Sequence, residues 1–308
     1  MSNVASMDSQ IVRDILIVGA SSSLGHAVLP LAAKLADVRV VPTFNQRPVT
    51  AGVHFDFRQK NLPKELDSLN DKTTVLLLSA ISDPSTVHRD PKYASEINVE
   101  GLSRFVEYCS KRGWRLIFSS SVEVFDGTGA PNPEDQVLNP LNDYGKMKAE
   151  AERQIQSLFP LGKYSIVRTP WISHMNTTSR CVIKNTYEMM LDKDLHSFAV
   201  DYLTGLISGL DAARAYSLLL NSPDLPSAIH FAADGHLSRS SLAHLILSAS
   251  NRQGEMRYVE TSFDKLELSE PRARDTRLNN SLSKQIFGFD YEPLQDLVVA
   301  KVRLLDGA

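Results

Sequence analysis

Cysteine is nearly absent. Cys109 and Cys181 are the only two in 308 residues, too few for a disulfide framework or a cysteine-built metal site. No stretch approaches the roughly 20 consecutive apolar residues of a membrane-spanning helix. Lys and Arg total 33 against 36 Asp and Glu, so there is no basic excess to hold nucleic acid and no acidic tail. The first ten residues are polar, read as a loose leader, and lack the hydrophobic run of a signal peptide. What remains is a cytoplasmic enzyme or binding protein with neither a nucleic-acid nor a membrane partner. A hydrophobic share of 43% with 22% charged residues is ordinary for a globular chain, and the length suits one large domain or two joined closely.

Two further absences lie inside what is otherwise a dinucleotide-binding pattern. Asp14 to Gly19 reads as a buried strand, Ala20 to Gly25 as a small-residue turn, and His26 to Ala36 as a helix. A strand, tight turn and helix in this order set a pyrophosphate on a helix N-terminus. Gly19 and Gly25 hold the outer positions of the glycine fingerprint, but the middle one is Ser22, whose hydroxyl is available to a phosphate oxygen. Ser21, Ser22 and Leu24 are therefore candidate cofactor contacts. The second strand, Val38 to Val41, is followed by no acidic residue as far as Arg47. A carboxylate there takes the ribose 2′-hydroxyl of NAD, whereas an arginine accommodates the 2′-phosphate of NADP, so Arg47 tilts the cofactor toward NADP. Asp56 and Phe57, after a short strand from Val53, are placed near the adenine. Ser79 and Ala80, closing the apolar run from Thr74, border the cofactor as carboxyl ends of parallel strands do.

The chemistry concentrates downstream. Tyr144 and Lys148 lie one turn apart at the start of a helix running to about Leu158, so both fall on one face. A phenol near pKa 10 exchanges protons poorly at neutrality, and a nearby ammonium is expected to pull that value down. Arg115 to Ser121 reads as a strand ending in three hydroxyls, one of which is placed to share a substrate oxygen with Tyr144. Tyr93 to Gly113 has helical periodicity, with Cys109 in its apolar face and Asn98 within it, where asparagine is mildly unfavourable. Asn98 reads either as a residue holding water at the site or as part of a solvated face.

Together these residues resemble the extended short-chain dehydrogenase/reductases. More narrowly they resemble the dTDP-4-dehydrorhamnose reductase-like branch, which also contains the non-catalytic regulatory subunit of methionine adenosyltransferase. Aligned on Val124-Phe125-Asp126-Gly127, the branch's catalytic hydroxyl falls on Ser121, and its tyrosine, lysine and helix asparagine fall on Tyr144, Lys148 and Asn98. Val122 and Glu123 stand where the branch carries Asp-Tyr. Trp171, after Arg168-Thr169-Pro170, and Arg272 match positions near the substrate, and residues 175–205, with Arg180, Lys184 and Tyr187, match a substrate-covering insertion. The resemblance runs from Ile15 to Phe289. It implies an α/β fold, a Rossmann-type doubly wound parallel sheet with a smaller α/β substrate-binding domain. Residues 11–168 would form the NADP-binding domain, with 206–232 returning to it, and residues 169–205 and 233–308 the smaller one. It further implies an NADPH-dependent reductase of a nucleotide-linked 4-keto-6-deoxysugar or related ketone, in which a homodimer is possible. An NADP-holding regulatory subunit is the alternative. Epimerase or dehydratase chemistry is less favoured, since those enzymes mostly use NAD and no acidic residue follows the second strand. His174, His230 and His244 are expected to be structural.

Overall fold

A computed structural model describes residues 13–179, 181–288 and 290–307. The expected leader, Arg180, Phe289 and the outermost domain boundaries lie outside the described residues.

Six strands succeed one another through the first half: β1 (Arg13–Val18), β2 (Val38–Phe44), β3 (Val53–His54), β4 (Thr74–Leu77), β5 (Arg115–Ser119) and β6 (Tyr164–Arg168). With the Ala228–His230 strand they form one seven-stranded sheet, ordered from that strand through β6, β5, β4, β1 and β2 to β3. Every pairing in it is parallel. Parallel strands buried on both faces read as continuous apolar runs, as these do. Successive side chains point to opposite faces, and the core divides accordingly. Ile15 and Ile17 of β1, with Leu76 and Ile117, join the cluster containing Val28 of helix α1 (Ser23–Ala32). Leu16 and Val18, with Val75, Leu77 and Phe118, join the opposite cluster containing Phe105 and Ile155. The chain is thus an α/β protein with a doubly wound, Rossmann-like sheet. Its strand order reverses between β1 and β4, and the carboxyl ends of those two strands frame the crevice where such sheets bind ligands.

Helices on the second face depart from the expected continuous run. After α2 (Pro84–Arg89) and α3 (Pro91–Ser95), a π-helical turn spans Glu96–Gly101 before α4 (Leu102–Lys111) resumes. The wider turn holds Asn98 and brings Gly101 against the Phe57 carbonyl, so close that any side chain at 101 would collide with it. Such π turns recur at functional sites. Helix α5 (Asp143–Leu158) begins at Asn142, whose side chain accepts from the Gly145 N–H and caps it.

The second half first adds α6 (Val182–Leu191) and α7 (Gly209–Asn221), and α7 packs on α1. The Trp171–Ser173 and Leu206–Ser208 segments pair in parallel, and Leu203–Thr204 is flanked by Leu237–Ser238 and Asp275–Thr276. Helices Arg239–Ala249 and Leu294–Leu305 pack against α6 and each other. Residues 209–230 thus return to the central sheet, α7 against α1 and the Ala228–His230 strand beside β6.

Candidate active site

The turn after β1 explains its own glycines. Gly19 has φ +94°, and a Cβ on Gly25 would stand 2.5 Å from the Gly19 carbonyl oxygen, so helix and strand approach too closely for a side chain. Ser22, at the place of the middle glycine, is the N-cap of α1, its Oγ accepting from the Gly25 N–H at 3.0 Å. Accepting there leaves its hydroxyl proton free for a ligand oxygen. The first-turn N–H groups of a helix lack intrahelical partners and, with the helix dipole, favour an anion. The turn therefore fits a dinucleotide diphosphate.

From this turn a cavity of about 560 Å³ runs along the carboxyl ends of the strands. Ser22, Ser23 and Leu24 border one end, Ala80 and Ser82 a side, and Ser121, Tyr144 and Lys148 the centre. Ser23, which the sequence gave no reason to single out, meets the Ser179 hydroxyl at 2.7 Å. Ser21 is in the turn but outside the cavity lining, and Ser79 backs Gly19 with its backbone.

The helix face carrying Tyr144 and Lys148 is buried against β5. Lys148 Nζ donates to the Ser119 carbonyl at 2.7 Å and stands 4.6 Å from the centre of the Phe118 ring. Burial pushes its pKa down to about 8, against an opposing effect of Glu152. The Tyr144 phenol behaves otherwise than the spacing suggested. Burial pushes its pKa up, the Ser121 hydrogen bond lowers it, and the Glu123 charge raises it again. Desolvation outweighs the expected lysine effect because the ammonium is turned toward Ser119 and lies 5.9 Å from the phenol ring centre. Tyr144 is therefore a protonated donor. Beneath it, Ser120 donates to Glu152 at 2.5 Å, and Arg168 grips the same carboxylate at 2.7 Å, with both charged side chains almost fully buried.

Three expected contacts are otherwise engaged. Asn98 is buried rather than on a solvated face, and its amide accepts from the Ile81 N–H and donates to the Ile81 carbonyl, both at 2.9 Å. It positions the loop after β4. Asp56 takes the Arg58 guanidinium at 2.6 Å, which holds its carboxyl below the usual range, and Phe57 packs against Phe55 and Phe105. Neither lines the cavity. Arg47 is exposed on the loop after β2. Of the three histidines expected to be structural, His174 lines the cavity and His230 is fully buried. Burial and the Lys301 charge push His174 down to about 4, and burial and the Arg168 charge push His230 down to about 3.

Val122, Glu123, Trp171 and Arg272 do line the cavity. Trp171 and Arg272 also border a second chamber of about 290 Å³, walled by Phe198, Tyr202, Met189 and Arg239. Arg239 lies over the Phe198 ring at 5.7 Å, and burial lowers its pKa. No carboxylate among the described residues forms an ion pair with it. Sequence gave no signal for Arg239, since it lies between Ser238 and Ser240 with no motif around it. Among the described residues no group of three His, Cys, Asp or Glu side chains is placed to hold a metal, and no helix is long and apolar enough to cross a membrane.

A parallel sheet with a phosphate turn at its switch point, and Ser, Tyr and Lys along one cavity, defines the architecture of an extended short-chain dehydrogenase/reductase. The chain belongs to the RmlD substrate binding domain family, which it matches over residues 13–305. It is 25% identical over 213 residues to the dTDP-4-dehydrorhamnose reductase of Salmonella typhimurium, covering 64% of this chain and 68% of that protein. It is 44% identical over 72 residues to the methionine adenosyltransferase 2 subunit beta of Xenopus tropicalis, covering 23% of this chain and only 22% of that relative's length. The dTDP-4-dehydrorhamnose reductase of Bacillus anthracis, solved in complex with NADP, superposes with a TM-score of 0.74 at 17% identity, covering 93% of this chain and 97% of that one.

Proposed function

We propose that this chain is a cytoplasmic NADPH-dependent reductase of a ketone carried on a nucleotide sugar, of the 4-keto-6-deoxy class. The observation that carries the reading is that Ser121, Tyr144 and Lys148 line one cavity together, and that this cavity begins at the phosphate turn. NADPH, when bound, supplies the hydride. The α1 N-terminus and the Ser22 hydroxyl hold its diphosphate, and Arg47 pairs with its 2′-phosphate. Ser121 and Tyr144 grip the ketone oxygen together, and Tyr144 gives its proton to the alkoxide as it forms. Lys148, charged at neutral pH and 5.9 Å from the phenol ring centre, swings from the Ser119 carbonyl to the phenolate left behind and stabilises it. Arg239, in the adjoining chamber, faces the nucleotide's diphosphate, and the aromatic walls there take its base. The Salmonella relative, a dTDP-4-dehydrorhamnose reductase, supports this substrate class.

The expected pH dependence tests this reading. Burial has lowered the Lys148 pKa to about 8, so the ammonium is present below that value and lost as pH rises through it. The phenolate then loses its countercharge. Ketone reduction, followed as kcat/KM from about pH 6 to about pH 10, should fall through about pH 8. A profile flat across that point, or no NADPH oxidation at any pH, contradicts it.

Cofactor preference is a separate expectation. Arg47→Ala should weaken NADPH binding by about 1.5–3 kcal/mol, the value of a charge-assisted hydrogen bond, and leave NADH binding unchanged. Titration of both cofactors against both proteins measures it, and equal affinities of the wild type for NADPH and NADH rule the assignment out.

The methionine adenosyltransferase 2 subunit beta relatives favour a second reading, in which the chain holds NADP and regulates another enzyme without turning over a ketone.

A further inference from the structure

Glu123 is a buried carboxylate two residues past Ser121, in the wall of the cavity that also holds Tyr144. The resemblance leads one to expect a tyrosine at this position. Its placement is rigid. Asn142 uses its side-chain oxygen to cap α5, accepting from Gly145 N–H at 2.9 Å, and this fixes which way its amide points. The Asn142 Nδ2 then donates to Glu123 Oε2 at 2.7 Å. The Glu123 peptide oxygen presses on Gly145 so closely that no side chain fits there, which locks the backbone as well. The residue that positions the Tyr144 helix thus also aims the carboxylate.

On its other side Arg272 lies 3.8 Å from Glu123 Oε1 and is hydrogen-bonded to Glu270. Arg272 is thus shared between the Glu123 and Glu270 carboxylates and is not the counterion of Glu123 alone. An ionised carboxylate offers only acceptors, so a ligand group facing it must be a donor, and an anion there meets like-charge repulsion.

We propose that Glu123 is the specificity-determining residue beside the reacting carbonyl. It selects a sugar that presents a hydroxyl or ammonium donor next to the ketone carbon, and it rejects one that presents a carboxylate there. This rests on the nucleotide-sugar reading, and binding separates the two. The protein saturated with NADP⁺ is titrated calorimetrically with dTDP-glucose, dTDP-3-deoxyglucose and dTDP-glucuronic acid. The wild type should bind dTDP-glucose at least about tenfold more tightly than the weaker of the other two, as expected for a charged hydrogen bond lost or a like charge introduced. Glu123→Gln, which keeps the shape and the Asn142 contact, should collapse that span to within about threefold and improve the affinity for the glucuronic acid. Should the glutamine variant fail to fold, Glu123→Asp, with the charge withdrawn by one methylene, should narrow the span in the same direction. Equal binding of all three sugars by the wild type, or a span that survives the substitution, overturns the role of Glu123 alone. Binding of none of them, while NADP⁺ still binds, overturns the nucleotide-sugar reading and the selectivity with it.

Discussion

Tyr144→Phe should lower turnover by about 10²–10⁴-fold, the range that a positioned general acid contributes, while NADPH affinity stays within about twofold of wild type. The substitution removes one oxygen and leaves the ring packed beside Val87 and Ala94. What is lost is the proton that burial keeps on the phenol. In the proposed reading Ser121 would still hydrogen-bond the ketone oxygen, but the group that gives its proton to the alkoxide is gone. Stopped-flow turnover alongside a cofactor titration measures both quantities. Near wild-type turnover would mean that the proton comes from elsewhere.

Arg168→Leu should destabilise the protein by about 3–5 kcal/mol, because it leaves Glu152 as an uncompensated charge in the interior. Among the described residues Arg168 is the one guanidinium on that carboxylate, and its other nitrogen is tied to the Glu134 carbonyl. Glu152 in turn receives the Ser120 hydroxyl, so the break propagates to the end of β5, where Ser121 is held. Combining it with Glu152→Gln should restore part of the loss, as a double-mutant cycle reads out coupling between neighbours. Denaturant unfolding of the four proteins gives the cycle. Additive losses would show that the pair is not the source of the effect.

Much of the nucleotide half was legible because its signals are local. A strand buried on both faces is an apolar run, so β1, β4 and β5 stand out, and the candidate hydroxyl, turn and helix follow directly at their carboxyl ends. Tyr144 and Lys148 share a face by helical spacing alone. What was not legible depends on partners distant in sequence. Nothing local says that Asn98 grips Ile81, seventeen residues earlier, or that the helix around it widens into a π turn where Gly101 meets Phe57. Asp56 looked available for adenine because the competing cation, Arg58, two residues on, gave no sign of turning back on it. The direction of the Lys148 ammonium is set by the Ser119 carbonyl on a neighbouring strand, and the phenol's high pKa by its burial among distant elements. Arg239 enters the second chamber only because segments from 171 to 272 fold together there. Substrate contacts scattered over short strands leave no periodic trace.

Hydride transfer is the central claim, and one isotopic measurement tests it. The protein is loaded with NADPH deuterated at its transferable hydrogen and given dTDP-4-dehydrorhamnose in a single turnover. Mass spectrometry of the sugar product should find one deuterium at the new carbinol carbon, in amount equal to the NADPH consumed. Unchanged ketone and intact NADPH, in a protein that binds both, would contradict the account and leave the chain as a holder of its cofactor.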